Sequence, residues 1–226
     1  MTRRILVWDL PTRWFHWLLA GSFLGAYLIA ESERWRNQHA LLGYGVLALI
    51  AFRLLWGMVG SQHALFSAWP LAPKQALGYL RSWLRRRPEH YVGHNPLGSW
   101  AILLMLLLCL TAGVTGWIAH TREVPEWVIE LHGTAANATL AVIAVHLMGV
   151  ITSSLAHREN LVAAMLHGHK RGEVGQAIAG GRRPVAWLLM AVLVALWQGW
   201  IPMPGLQAGT QLVQWPQPLD SADAAQ

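Results

Sequence analysis

WVIELHGTAANATLAVIAVHLMGVITSSLA, running from Trp127 to Ala156, is apolar through its middle. As a helix it is long enough to cross a bilayer, which takes about 20 residues. Two histidines interrupt it, His132 and His146, 146 − 132 = 14 residues apart. At about 3.6 residues and 5.4 Å per turn, they stand roughly 21 Å apart and within about 40° of one face. An ionisable side chain at membrane depth is costly and marks function by default. Two on one stripe, one near each side of the membrane, imply two stacked sites that share this helix. The plain alternative is that His132 lies at an interface and His146 makes one interhelical hydrogen bond.

A neutral imidazole is a good axial ligand for haem iron, and a b-type haem needs no covalent attachment. Two such groups require two more histidines at matching depths on other helices. Composition agrees with a membrane setting: 54% of the 226 residues are hydrophobic, 12% are charged, and 14 are tryptophan. The formal net charge of +6 comes from arginines and lysines set between apolar spans, so it reports topology rather than nucleic-acid binding. One cysteine, Cys109, excludes an internal disulfide framework, an iron–sulfur cluster and a covalently attached haem within this chain.

The remaining spans follow from apolar runs and their punctuation. Span 1 runs from Arg13 to about Ala30 and carries His16 among Trp14, Phe15 and Trp17. Its apolar run is too long for a signal peptide and no small-residue cleavage site follows. Span 2, His39 to about Val59, begins on its histidine; Gly43 and Gly45 allow close approach of a helix or a flat cofactor. Arg53, near its far end, either snorkels to headgroups or pairs with an acidic cofactor group. Residues 60–97 form a long connection in which KQALGYLRSWLRRR reads as an interfacial amphipathic helix. Span 3 covers Gly98 to about Ala119, with no interior histidine, and His120–Glu126 is a turn.

Beyond span 4, residues 157–183 read as a basic, glycine-containing loop, residues 184–201 as span 5, and residues 207–226 as a flexible polar tail. His63, His90, His94, His120, His157, His167 and His169 fall in connections and read as surface, although His167-Gly-His169 beside Lys170 offers a weak metal or carboxylate contact.

Topology then pairs the histidines. With the N-terminus inside, fourteen Lys and Arg lie on the inner side, and Arg34, Arg36 and Arg122 on the outer. That asymmetry places the N-terminus in the cytoplasm and the C-terminal tail outside, in the periplasm. His16 and His146 fall near the inner face, His39 and His132 near the outer. Four histidines at two levels predict two bis-histidine haem sites.

RWFHW, HALLGYGVLALIAFRLLWGMVGS, GHNPLG, the ELH…H pair of span 4 and HRENLVAAMLHGHKR resemble the bacterial b-type cytochromes of the nickel–iron hydrogenase cytochrome b subunit and cytochrome b561 superfamily, over roughly residues 6–172. The resemblance implies a four-helix core with two haems b, ligated from helices 1, 2 and 4 by His16, His39, His132 and His146. It also implies electron transfer to or from quinone. The predicted architecture is an all-α integral membrane protein: a di-haem bundle over 1–172, an additional transmembrane helix within 173–206, and a periplasmic tail over 207–226. Span 5 lies beyond the core of the small members, and docks a second subunit or anchors the tail.

Bis-histidine iron has no open position, which suits electron transfer rather than oxygen chemistry. Arg13 and Arg53 are candidates to face the propionates of an inner haem and Arg36 those of an outer one, with lipid phosphate as the alternative partner of each. The expected circuit joins membrane quinone to a periplasmic c-type cytochrome or hydrogenase-like enzyme, in the inner membrane and with oligomerisation open. Two rivals remain. One is superoxide oxidation at the outer face, which needs a cationic surface, whereas Glu31, Glu33, Glu123 and Glu126 stand beside the outer arginines. The other is a non-haem transporter or scaffold, although zinc wants about four clustered ligands.

Overall fold

Short sequence signals start the helices. Asp9 stands in extended conformation before α1 (Leu10–Leu28) and its carboxylate accepts from the Thr12 N–H at 2.8 Å, with Pro11 in the first turn. Asn95 caps α4 (Pro96–Thr121) in the same way, accepting from the Gly98 N–H at 2.7 Å ahead of Pro96. WDLPT and GHNPLG are thus cap-plus-proline starts. The computed structural model describes residues 3–207 and 209–213. Its other elements are β1 (Arg3–Leu6), α2 (Arg36–Val59), α3 (Pro73–Leu84), α5 (Glu126–His157), α6 (Leu161–His167), β2 (His169–Gly172) and α7 (Arg183–Trp197).

Three helices, α2, α4 and α5, have the length and apolar composition to cross a membrane. α1, with 19 residues, and α7, with 15, fall short of that measure but pack lengthwise with α2. The order of contact is α5 on α4, α4 on α2 and α2 on α1, with α7 against α1 and α2. The core joins Phe15 and Phe23 of α1, Val46, Leu49 and Ile50 of α2, Leu106 and Cys109 of α4, and Leu189 and Leu193 of α7. No fully buried residue of that core comes from α5; Ile143 only packs at its edge. The two-histidine helix is therefore held by α4 rather than by the core. α7 is seated by Gly45, where an added Cβ would lie 2.8 Å from the Trp197 indole nitrogen.

The connections on one side form a structured cap, which includes part of the stretch 157–183 expected as a loop. β1 pairs antiparallel with β2, from Arg3 opposite Gly172 to Leu6 opposite His169. The Gly168 carbonyl then accepts from both Val7 and Trp8 N–H, at 2.8 and 3.0 Å. Gly168 has φ +84°, and an added Cβ would lie 2.6 Å from the Trp8 carbonyl oxygen, so this corner needs glycine. Two backbone bonds draw residues 173–182 into the same cap, from Ile178 N–H to Leu6 and from Leu10 N–H to Gly181. The predicted amphipathic helix is present as α3, which packs against α4.

His63 and His94, read as surface, are partly enclosed by this cap, and Arg53 is buried beneath it. His94 lies between Trp8 and Trp69, at ring-centroid distances of 4.7 and 4.9 Å, and His63 bonds the Gln176 carbonyl at 2.8 Å. Arg53 does not snorkel: it is 3% exposed, donates to the Ala64 carbonyl at 2.9 Å, and lies over the Phe66 and Trp69 rings. The fully buried Asp9 carboxylate also accepts from Trp56 Nε1 at 3.1 Å, tying α1 to α2. The predicted flexible tail lies outside the described residues except for 207 and 209–213; of these, Leu212 N–H bonds the Trp197 carbonyl at 2.8 Å.

Asp9→Ala removes a helix cap and leaves a buried indole N–H unpaired, and should cost about 2–4 kcal/mol in unfolding measurements. Asp9→Asn, which still caps, should cost less. Burial and the neighbouring Arg53 and Lys170 charges push the pKa of His94 from 6.5 down to about 3. The unfolded chain takes up a proton below about 6.5 that the folded ring refuses. Stability is therefore full above that pH and declines as pH falls toward 3; His94→Gln should flatten the decline in thermal unfolding followed against pH.

Candidate cofactor site

His39, in the first turn of α2, has its Nδ1 2.9 Å from the Ala26 carbonyl oxygen of α1. His132, in the second turn of α5, has its Nδ1 2.8 Å from the Ala112 carbonyl oxygen of α4. A carbonyl only accepts, so each Nδ1 carries the hydrogen and each Nε2 keeps its lone pair. That is how a metal-ligating histidine is oriented by its surroundings. The two ring centroids are 6.0 Å apart with planes at 74°. Imidazoles on opposite sides of one metal ion, with bonds of about 2 Å, have centroids roughly that far apart. The donor set and spacing fit a metal-centred cofactor.

Small residues make room for this pair. An added Cβ at Gly116 would lie 2.8 Å from His132 Cε1 and 2.9 Å from its Nδ1, so the ring rests on the α4 backbone. Gly43 is four residues after His39 and so on the same face; an added Cβ there meets nothing within 4 Å. Gly149, three residues after His146, is equally open. Of the two glycines noted in span 2, Gly45 serves the helix contact and Gly43 leaves open space one turn from the His39 ring.

At the other level, His16 of α1 has a buried Nδ1 with no hydrogen-bond partner among the described residues. His16 and His146 of α5 lie close enough for their charges to interact. Arg13, three residues before His16, donates through Nη1 to the Leu166 carbonyl and keeps a buried, unpartnered Nε. Arg53 likewise keeps a buried Nη1 without a partner among the described residues. Arg36 is exposed and forms an ion pair with Glu33 at 3.5 Å. Among the described residues no group of three or more His, Cys, Asp or Glu side chains is arranged to hold a metal ion. In particular, the His169 N–H bonds His167 Nδ1 at 3.0 Å, a local turn.

The sequence reading missed the carbonyls of Ala26 and Ala112, which no residue type announces. It also missed His120, which belongs to the last turn of α4 rather than to a loop. Its position four residues after Gly116 was the available signal.

The family described as prokaryotic cytochrome b561 matches residues 7–168. The chain is 24% identical to the probable Ni/Fe-hydrogenase B-type cytochrome subunit of Rhodobacter capsulatus, over 74% of this chain and 81% of that protein. It is 24% identical to the subunit of the same description from Azotobacter vinelandii, over 73% and 87%. The Cupriavidus necator counterpart is also 24% identical, over 73% and 86%. No solved structure matches the chain.

Gly116→Val drives a side chain into the His132 ring and should weaken haem retention by about tenfold or more, the factor that 1.4 kcal/mol gives. A pyridine haemochrome assay after detergent washing checks this, with Gly78→Ala on α3, where an added Cβ meets nothing within 4 Å, as the unaffected control.

Proposed function

The chain belongs to the prokaryotic cytochrome b561 family, and from that premise we propose that it holds two b haems, one above the other, and conducts electrons across the membrane between quinone and a redox partner on the outer side. Membership itself makes it a haem-containing membrane protein of electron transport. The observation that carries the finer reading is the His39–His132 pair, 6.0 Å between centroids, with both Nδ1 atoms committed to carbonyls. His16 of α1 and His146 of α5 supply the second pair, at the other level.

Haem b supplies reversible one-electron chemistry at its iron. The protein's part is to hold and tune. His39 and His132 would hold the group through Nε2, with the Ala26 and Ala112 carbonyls fixing their tautomer and ring direction. Two imidazoles holding each group would suit electron transfer rather than bond-making chemistry. The unpartnered Arg13 Nε and Arg53 Nη1 support a role toward acidic groups at the inner level. α1 and α7, packed along α2, complete five membrane helices.

Orientation rests on charge: the cap side carries fourteen of the seventeen Lys and Arg, which places it in the cytoplasm and the C-terminus outside, in the inner membrane. The relatives are described as hydrogenase cytochrome subunits; by analogy the outer partner is a periplasmic hydrogenase-like enzyme or a c-type cytochrome. Quinone, which moves in the lipid, is the carrier at the other end.

Dithionite-reduced minus oxidised spectra with a pyridine haemochrome count should give two low-spin b haems per chain. His16→Ala and His39→Ala should each remove one. A single haem that survives either substitution would sink the paired arrangement.

A further inference from the structure

A third histidine stands at the outer level. Gly116, on which the His132 ring rests, and His120 are four residues apart on α4 and so share a face. His120 is thus one turn nearer the helix end than His132, and it lies within charge reach of His39. Its Nε2 is buried and has no hydrogen-bond partner among the described residues. A buried, unsatisfied ring nitrogen is costly and calls for an explanation.

The ring is held from above by the segment that follows α7. Gly205, at φ +78°, lies so close that an added Cβ would be 2.7 Å from His120 Cδ2 and 3.0 Å from Nε2. The same segment is fastened to α2, because the Tyr44 hydroxyl donates to the Pro204 carbonyl. His120 is therefore fixed between α4 and a strap that crosses to the helix of His39. This strap lies beyond residue 168, where the family match ends.

We propose that His120 is a positioning residue for the outer cofactor, its Nε2–H donating to a carboxylate of the group held between His39 and His132, with the Pro204–Gly205 strap fixing the ring. The proposal rests on the reading of that pair as a haem site, and a haem propionate is the carboxylate such a group offers. His120 would be no ligand, since on that reading His39 and His132 hold the group. A charged acceptor strengthens a hydrogen bond, so its loss should weaken outer-haem binding by roughly tenfold to a hundredfold.

The test uses the full chain in detergent. Redox titrations followed optically give the midpoint potential of each haem, and transfer to excess apomyoglobin gives each haem's release rate. His120→Leu should shift the potential of one haem, the one that His39→Ala removes, and speed its release, while the other haem is unmoved. His120→Gln, which restores an N–H donor, should recover both properties in part. Gly205→Val, which displaces the ring without removing it, should shift the same haem. If wild-type protein lacks a haem dependent on His39, the paired-site reading fails and this proposal with it. If that haem is present and His120→Leu changes neither its potential nor its release, only the role of His120 is overturned. An unmoved potential with a raised KM for quinol would assign His120 to substrate and also overturn it.

Discussion

An imidazole inside an apolar bundle must satisfy two nitrogens without water, and the structure is arranged around that requirement. His39 and His132 meet half of it through carbonyls on neighbouring helices. A helical carbonyl is already engaged with its own helix, but its second lone pair can accept a side-chain donor. Each bond therefore crosses from one helix to the next, and α1–α2 and α5–α4 are registered by the rings they carry. The Nε2 atoms that remain keep their lone pairs on rings 6.0 Å apart, a spacing that suits the metal-centred group proposed for this pair.

α4 contributes no ring to the His39–His132 pair, yet it sets the geometry around it. It presents the Ala112 carbonyl, the bare backbone at Gly116 and the His120 ring in successive turns of one face. Substitution there acts through distance rather than through lost ligation. α5, which carries His132 and His146, joins the apolar core only at its edge. A helix held mainly by one neighbour leaves its other faces to cofactor and lipid, which explains why so much of its apolar surface is uncovered within the chain.

The cap solves a different problem. Arg53 and Asp9 are almost fully buried, and such charges persist only with partners. Ala64, Thr12, Trp56 and the faces of Phe66 and Trp69 provide them. The β1–β2 pairing and the Gly168 corner close this cluster over the ends of the spans. α7 and the strap behind it do the corresponding work at the opposite end, where Tyr44 and His120 are held by Pro204 and Gly205.

Hydropathy and helical spacing by themselves determined the membrane class, the principal apolar helices and the two-level placement of His16, His39, His132 and His146, because apolar length and a 3.6-residue period are local properties of the chain. What only the tertiary structure decided were the contacts between residues far apart in sequence: Arg53 enclosed rather than snorkelling, His94 between two tryptophans, the strands at residues 3–6 and 169–172, and His120 beneath Gly205. A lone histidine or arginine in a connection carries no periodicity, so its burial depends on what folds over it. Backbone carbonyls such as those of Ala26 and Ala112 are invisible to residue type altogether, and only the packing of one helix on another shows which of them a ring can reach.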